Sequence, residues 1–154
     1  MRKEELIKKI KNIQKGITKV KDKYVSENGF VLDYITIFSH SKGEFEELTK
    51  TAEKIGKKID EHNGPIFLLN GYLKFDNGVL KIFRIRKPDI NRPQVGCGDF
   101  KVSNYKDFKE KYLNKKNFLL FDGEEYEFLG IHDLTENYLV YFPDKMLSED
   151  LGLK

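Results

Sequence analysis

Between residues 31 and 142 one order of elements runs through the chain twice: strand, helix, strand, strand, strand. In the first pass "VLDYITIF" (Val31–Phe38) is rich in β-branched and aromatic residues and reads as a strand. Ser41 and Glu44 then stand at capping-box spacing. They open a helix with an apolar stripe of Phe45, Leu48, Ala52 and Ile55, which Gly56 is suited to end. A short strand near Lys58–Glu61, the strand in "NGPIFLLNGYL", the hairpin signal "DNG" and the strand "VLKIFRIR" (Val79–Arg86) complete the pass. The second pass runs through "DFKV", a helix capped by Asn104 with Tyr105, Phe108 and Tyr112 on one stripe, and the strands "NFLLF", "EYEFLGI" and "NYLVYF". The halves share a pattern and little identity, as a duplicated supersecondary unit would. The sequence thus predicts two βαβββ modules, at about 31–86 and 98–142, joined by a linker over 87–97. With the tail "MLSEDLGLK" they form a single domain over 27–154.

Residues 1–26 are different in kind. Leu6, Ile10, Ile13, Ile17, Val20 and Tyr24 recur at spacings of three and four, the period of one helical stripe. Nine of the first 24 residues are Lys or Arg and three are acidic, against a net charge of +3 for the whole chain. Three readings suit a basic amphipathic helix: docking on its own domain with a solvated lysine face, dimerisation, or contact with acidic lipid or nucleic acid. The first is the simplest. Gly16 weakens such a helix by about 1 kcal/mol relative to alanine.

Bulk properties narrow the class. Aromatic content of 13 % and apolar content of 39 % suit a globular sheet protein. No apolar run approaches the roughly 20 residues of a membrane span, and no signal-peptide core follows the basic N-terminus. A single cysteine forms no internal disulfide, so a reducing, cytoplasmic setting is expected. A charge of +3 does not mark a nucleic-acid binder, and nucleic acid is not expected as a partner.

A doubled βαβββ unit resembles the vicinal oxygen chelate superfamily of glyoxalases, extradiol dioxygenases and bleomycin-resistance proteins. "LDYITIF", "NGPIFLL", "GCGDFKV" and "YLVYFPDKMLSEDLG" are similar to the corresponding strands and closing helix of its YecM-like branch, over about residues 31–150. The resemblance implies an α+β fold in which two modules form a curved mixed-sheet half-barrel around one cleft, here preceded by the N-terminal helix. It also implies a divalent metal on inner-strand His and Glu side chains. The positions that would carry those ligands hold Tyr34, a residue near Arg84, and Asp99. Only Asp99 is an ordinary hard-metal ligand. The chain therefore looks like a member whose metal centre is lost or rebuilt. No cofactor is expected, and Asp99 with Glu127 is a weak remaining carboxylate pair for a metal.

Period-2 alternation supplies a test that does not depend on the family. It puts Leu32, Tyr34, Thr36 and Phe38 on one face of the first strand, with Asp33 among the aliphatics of the other. It puts Leu80, Ile82, Arg84 and Arg86 together on the fourth strand, Asp99 with Lys101 on the fifth, and Tyr141 with Leu139 on the last. One register brings Tyr34, Thr36, Arg84, Asp99 and Tyr141 into a common cleft; a slip of one residue reverses the assignment. Two roles stay open for Arg84. It pairs with Asp99 as a structural link between modules, or it grips a carboxylate or phosphate with Tyr34 and Tyr141 donating hydroxyls. His40, His62 and His132 are scattered, with no metal or catalytic spacing, and Cys97 has no neighbouring base, which favours an inert thiol. No phosphate-loop or nucleophile-elbow motif occurs.

The expected function is therefore the binding of a small anionic molecule in the inter-module cleft, in a protein related to lyases and isomerases. The competing expectation is a non-catalytic adaptor that forms a homodimer, or docks, through its N-terminal helix.

Overall fold

A computed structural model describes residues 1–122 and 126–153. The first module comprises β1 (Val31–Phe38), α2 (Lys42–Ala52), β2 (Gly56–Ile59), β3 (Ile66–Phe75) and β4 (Gly78–Arg86). The second comprises β5 (Gly96–Lys101), α3 (Tyr105–Tyr112), β6 (Phe118–Asp122), β7 (Glu127–Ile131) and β8 (Tyr138–Pro143). Helix α1 (Lys3–Tyr24) precedes them and α4 (Leu147–Asp150) follows. The strands form an open eight-stranded mixed sheet in the order β2-β3-β4-β1-β5-β8-β7-β6, which does not close into a barrel. This is an α+β fold.

The order exposes the duplication. In each module the first strand pairs in parallel with the fourth, β1 with β4 and β5 with β8. The remaining pairs of each module are antiparallel. The modules meet where β1 runs antiparallel to β5.

All the longer helices lie against one face. There Ile35, Ile37, Phe83, Ile85, Phe100, Val140 and Phe142 join the apolar stripe of α1 in a continuous core. Leu6, Ile10, Ile13, Ile17 and Val20 are at most 2 % exposed. The stripe is thus consumed within the chain, while Lys8, Lys11, Lys15 and Lys19 face water. Three glycines let α1 lie directly on the sheet. A Cβ on Gly16 would fall 2.2 Å from the Tyr138 ring, one on Gly98 2.1 Å from Ile17 Cδ1, and one on Gly96 2.4 Å from the Thr36 carbonyl. Gly16 therefore exchanges helix propensity for close packing. The "DNG" turn ties α1 down as well: Asn77 donates to Thr18 Oγ1 at 2.8 Å and accepts from Gln14 Nε2 at 3.1 Å.

The capping signals behave as written. Ser41 Oγ accepts from the Glu44 amide at 3.1 Å, and Asn104 Oδ1 from the Asp107 amide at 3.2 Å. Several boundaries differ from expectation. Gly56 begins β2 rather than ending α2. Strand β5 starts at Gly96, so the crossover between modules is shorter, over 87–95, and Cys97 belongs to the sheet. The expected strand "EYEFLGI" begins at Glu125, outside the described residues, and β7 itself begins at Glu127. The tail's last residue, Lys154, also lies outside the described residues.

The face assignment fails at two places. The β1–β5 register shifts between Leu32 and Tyr34, a bulge at Asp33. Leu32 therefore joins the helix-side core with Ile35, while Tyr34, Thr36 and Phe38 remain on the opposite face. Leu80 likewise belongs to the helix-side core with Phe83, next to a register shift in the β3–β4 pairing. At the bulge Asp33 accepts from the Ser148 hydroxyl, and from its amide at 3.2 Å, which docks α4.

Candidate functional site

Across the sheet from the helices, the module seam opens a pocket of about 200 Å³. Its floor follows from strand register. Tyr34 on β1 stands beside Asp99 on β5, which stands beside Tyr141 on β8. In the next row Thr36, Cys97 and Leu139 are aligned in the same way. Arg84 joins from β4 as the partner of Thr36. All five candidates, Tyr34, Thr36, Arg84, Asp99 and Tyr141, line this one pocket.

Sequence reasoning missed part of the charge. Arg86, two residues beyond Arg84, also faces the pocket, as does Arg92 from the crossover. Alternation had put Arg86 on the right face; Arg92 carries no periodic signal because it sits in a loop. Arg86 and Arg92 share the carboxylate of Asp89, at 3.9 Å and 3.5 Å. The Arg92 guanidinium lies 5.7 Å from the centre of the Phe38 ring and donates to the Tyr141 hydroxyl at 3.5 Å. Burial, then the neighbouring Arg92 charge, pushes the Arg86 pKa down. Both causes penalise additional positive charge here.

Arg84 does not close an ion pair with Asp99. It lies 6.0 Å from the centre of the Tyr34 ring, and its Nε is buried with no hydrogen-bond partner. The expected link between modules is a shared pocket rather than a bond. Asp99 sits so deep at the seam that burial pushes its carboxyl up to about 8. Asp33 adds to the shift, and Arg84 and the Tyr34 hydroxyl oppose it. At neutral pH Asp99 is then mostly the uncharged acid. Burial raises the Tyr34 hydroxyl well above its ordinary value and Tyr141 to about 12, so both remain donors. Of the three guanidiniums lining the pocket, Arg86 and Arg92 pair with Asp89 and Arg84 does not.

The other candidates fall away. The Cys97 thiol is buried and pushed up to about 12, chiefly by desolvation, which suits an inert thiol. Glu127 is held by Lys109 at 2.8 Å and does not line the pocket. His62 is exposed, His40 binds the Gln94 carbonyl at 2.7 Å, and His132 sits against Phe121. None of the three lines the pocket. Among the described residues no group of three or more His, Cys, Asp or Glu could hold a metal ion. The donor set of the pocket itself, one carboxyl among three arginines, does not fit a divalent cation. No helix among the described residues is long and apolar enough to cross a membrane.

No family model matches the chain, and no curated protein matches it. A solved structure described as "Structural Genomics, Protein EC4020" is similar, with a TM-score of 0.71 and 13 % identity. The match covers 96 % of this chain and 92 % of that one. At that identity the likeness is one of fold.

Proposed function

We propose that the chain binds a small anionic molecule in the pocket between its two modules. The observation that carries this reading is Arg84: its guanidinium faces the pocket with no ion pair among the described residues, and its Nε is buried with no hydrogen-bond partner among them. Leaving a buried donor unsatisfied is costly, and a bound carboxylate or phosphate removes the cost through charge-assisted hydrogen bonds. Arg92, Tyr141 and Tyr34 supply further donors around the same space.

The doubled module, with its first strands side by side, supports membership of the vicinal oxygen chelate superfamily, and of its YecM-like branch. In this reading arginines occupy the cleft where that superfamily commonly holds a metal, and no step through a metal follows. The dimerising form of the competing adaptor reading requires α1 to pair through its apolar stripe. Leu6, Ile10, Ile13, Ile17 and Val20 would have to leave the sheet that buries them.

Calorimetric titration of the full chain with acetate and with inorganic phosphate at pH 6.5 tests the proposal. Saturable binding is expected, weakened about tenfold or more by Arg84→Gln, the loss of one charged contact. Without anion, R84Q should be about as stable as the parent, because the unsatisfied buried Nε is gone. Equal binding by parent and R84Q would remove Arg84 from the site and the proposal with it.

A further inference from the structure

The two modules give the pocket two chemically different walls. The first module and the crossover supply Arg84, Arg86 and Arg92, with Arg84 over the Tyr34 ring and Arg92 over the Phe38 ring. The second supplies Tyr126, Phe128 and Tyr141. The rings of this second wall are held in a fixed array. Phe121 on β6 stacks on its cross-strand partner Phe128 at 4.9 Å and 14°. Tyr141 meets Phe128 edge-on at 5.0 Å and Phe121 at 5.8 Å. Gly130 makes the array possible. A Cβ there would come within 2.9 Å of the Tyr141 ring and 3.0 Å of Phe121. Strand β7 thus gives up a side chain on its pocket face, and two rings lie over the bare backbone. At the seam between the walls stand Thr36, Cys97 and Asp99.

A bare anion would use only half of this pocket. It would meet the guanidiniums and leave the aromatic wall against water. A ligand that satisfies both walls has an anionic group at one end and a planar apolar group at the other. Aromatic faces and edges favour another ring in stacked or edge-on geometry, beyond the gain from burying apolar area. The space of about 200 Å³ lies below the range of drug-sized sites, which limits the ligand to about one ring and its charged group.

We propose that the pocket takes a single-ring aromatic carboxylate, its ring against Phe128 and Tyr141 and its carboxylate toward Arg84 and Arg92. The proposal rests on the anion-binding reading above and narrows it to a ligand class. The carboxylate matches the planar fork of a guanidinium.

The test is a ligand series titrated into the full chain at pH 6.5: benzoate, cyclohexanecarboxylate, benzyl alcohol, acetate and inorganic phosphate. Benzoate is expected to bind about tenfold or more tighter than acetate, with cyclohexanecarboxylate between them and benzyl alcohol not saturating. Phe128→Leu keeps the apolar bulk and removes the ring. It should bring benzoate down to the level of cyclohexanecarboxylate. The series on the parent chain stands on its own if that variant folds poorly. Benzoate no tighter than acetate or phosphate, with those anions still dependent on Arg84, would overturn the aromatic inference and leave the anion site intact. Cyclohexanecarboxylate equal to benzoate would overturn the role of the ring. No binding of any anion would overturn both readings.

Discussion

Gly96→Ala should lower the thermal midpoint by about 5–10 °C, read by circular dichroism. The added Cβ would stand 2.4 Å from the Thr36 carbonyl and 3.3 Å from Ile13 Cδ1. The first of these is a backbone atom in the β1–β5 ladder, where Gly96 pairs with Ile37. It cannot turn aside as a side-chain end can. Relief would separate the two strands that join the modules, or lift α1 from the sheet. Overpacking of this kind costs about 1–3 kcal/mol, and each kcal/mol moves the midpoint of a domain this size by about 2–4 °C. Gly43 is the control: it lies in α2 with open space around the position, and alanine there should be neutral or stabilising by up to about 1 kcal/mol. A G96A protein that melts with the parent would mean that α1 and the seam are not packed as described.

Asp99→Asn should stabilise the chain at pH 9 by more than about 2 kcal/mol and leave it little changed near pH 4. The sign follows from the raised carboxyl, about 8 in the fold against 3.8 ordinarily. Below about 4 the acid is protonated in both states. Between about 4 and 8 the unfolded chain has lost the proton and the folded chain keeps it, so stability falls as pH rises. Above about 8 the folded chain carries the full penalty of a buried carboxylate. Asparagine never ionises and escapes this loss. Anion binding should follow the same group. Above pH 8 an ionised Asp99 opposes an anion and competes for Arg84, so the parent's affinity should fall about tenfold from pH 7 to pH 9. That of D99N should stay flat. The other titrating neighbours are the hydroxyls of Tyr34 and Tyr141 and the Cys97 thiol, all raised by burial. Asp33 is also raised by burial but is engaged by Ser148. A parent whose stability does not fall between pH 4 and pH 8, or whose affinity holds from pH 7 to pH 9, would contradict the buried acid.

Much of this was legible in the sequence because two periods are simple to read. The three-and-four spacing of Leu6 to Tyr24 marked α1 and its buried stripe. Alternation placed Tyr34, Thr36, Arg84, Asp99 and Tyr141 on one face, and the fold brings them to one pocket. What failed did so where the periods break. The bulge at Asp33 moved Leu32 to the helix side, and no single-strand pattern announces a bulge. Arg92 enters from a crossover, where neither period applies. The Arg84–Asp99 bond was inferred from opposite charge; burial of Asp99 opposes its ionisation and removes much of the attraction. Gly96 falls in the linker expected over 87–97, yet it belongs to a strand and, with Gly98, makes room for α1. That role depends on a helix some 80 residues earlier in the chain, so local sequence could not reveal it.

We place the meeting with an anion at the cationic pocket of the seam and not at the lysine face of α1. Amide and side-chain chemical shifts of the isotopically labelled full chain, followed during an acetate titration at pH 6.5, test it most directly. Saturable shifts at Thr36, Arg84, Arg92, Asp99 and Tyr141, with Lys8, Lys11, Lys15 and Lys19 unmoved, are the expected result. Shifts confined to the lysine face of α1, or none at the seam up to molar acetate, would contradict it.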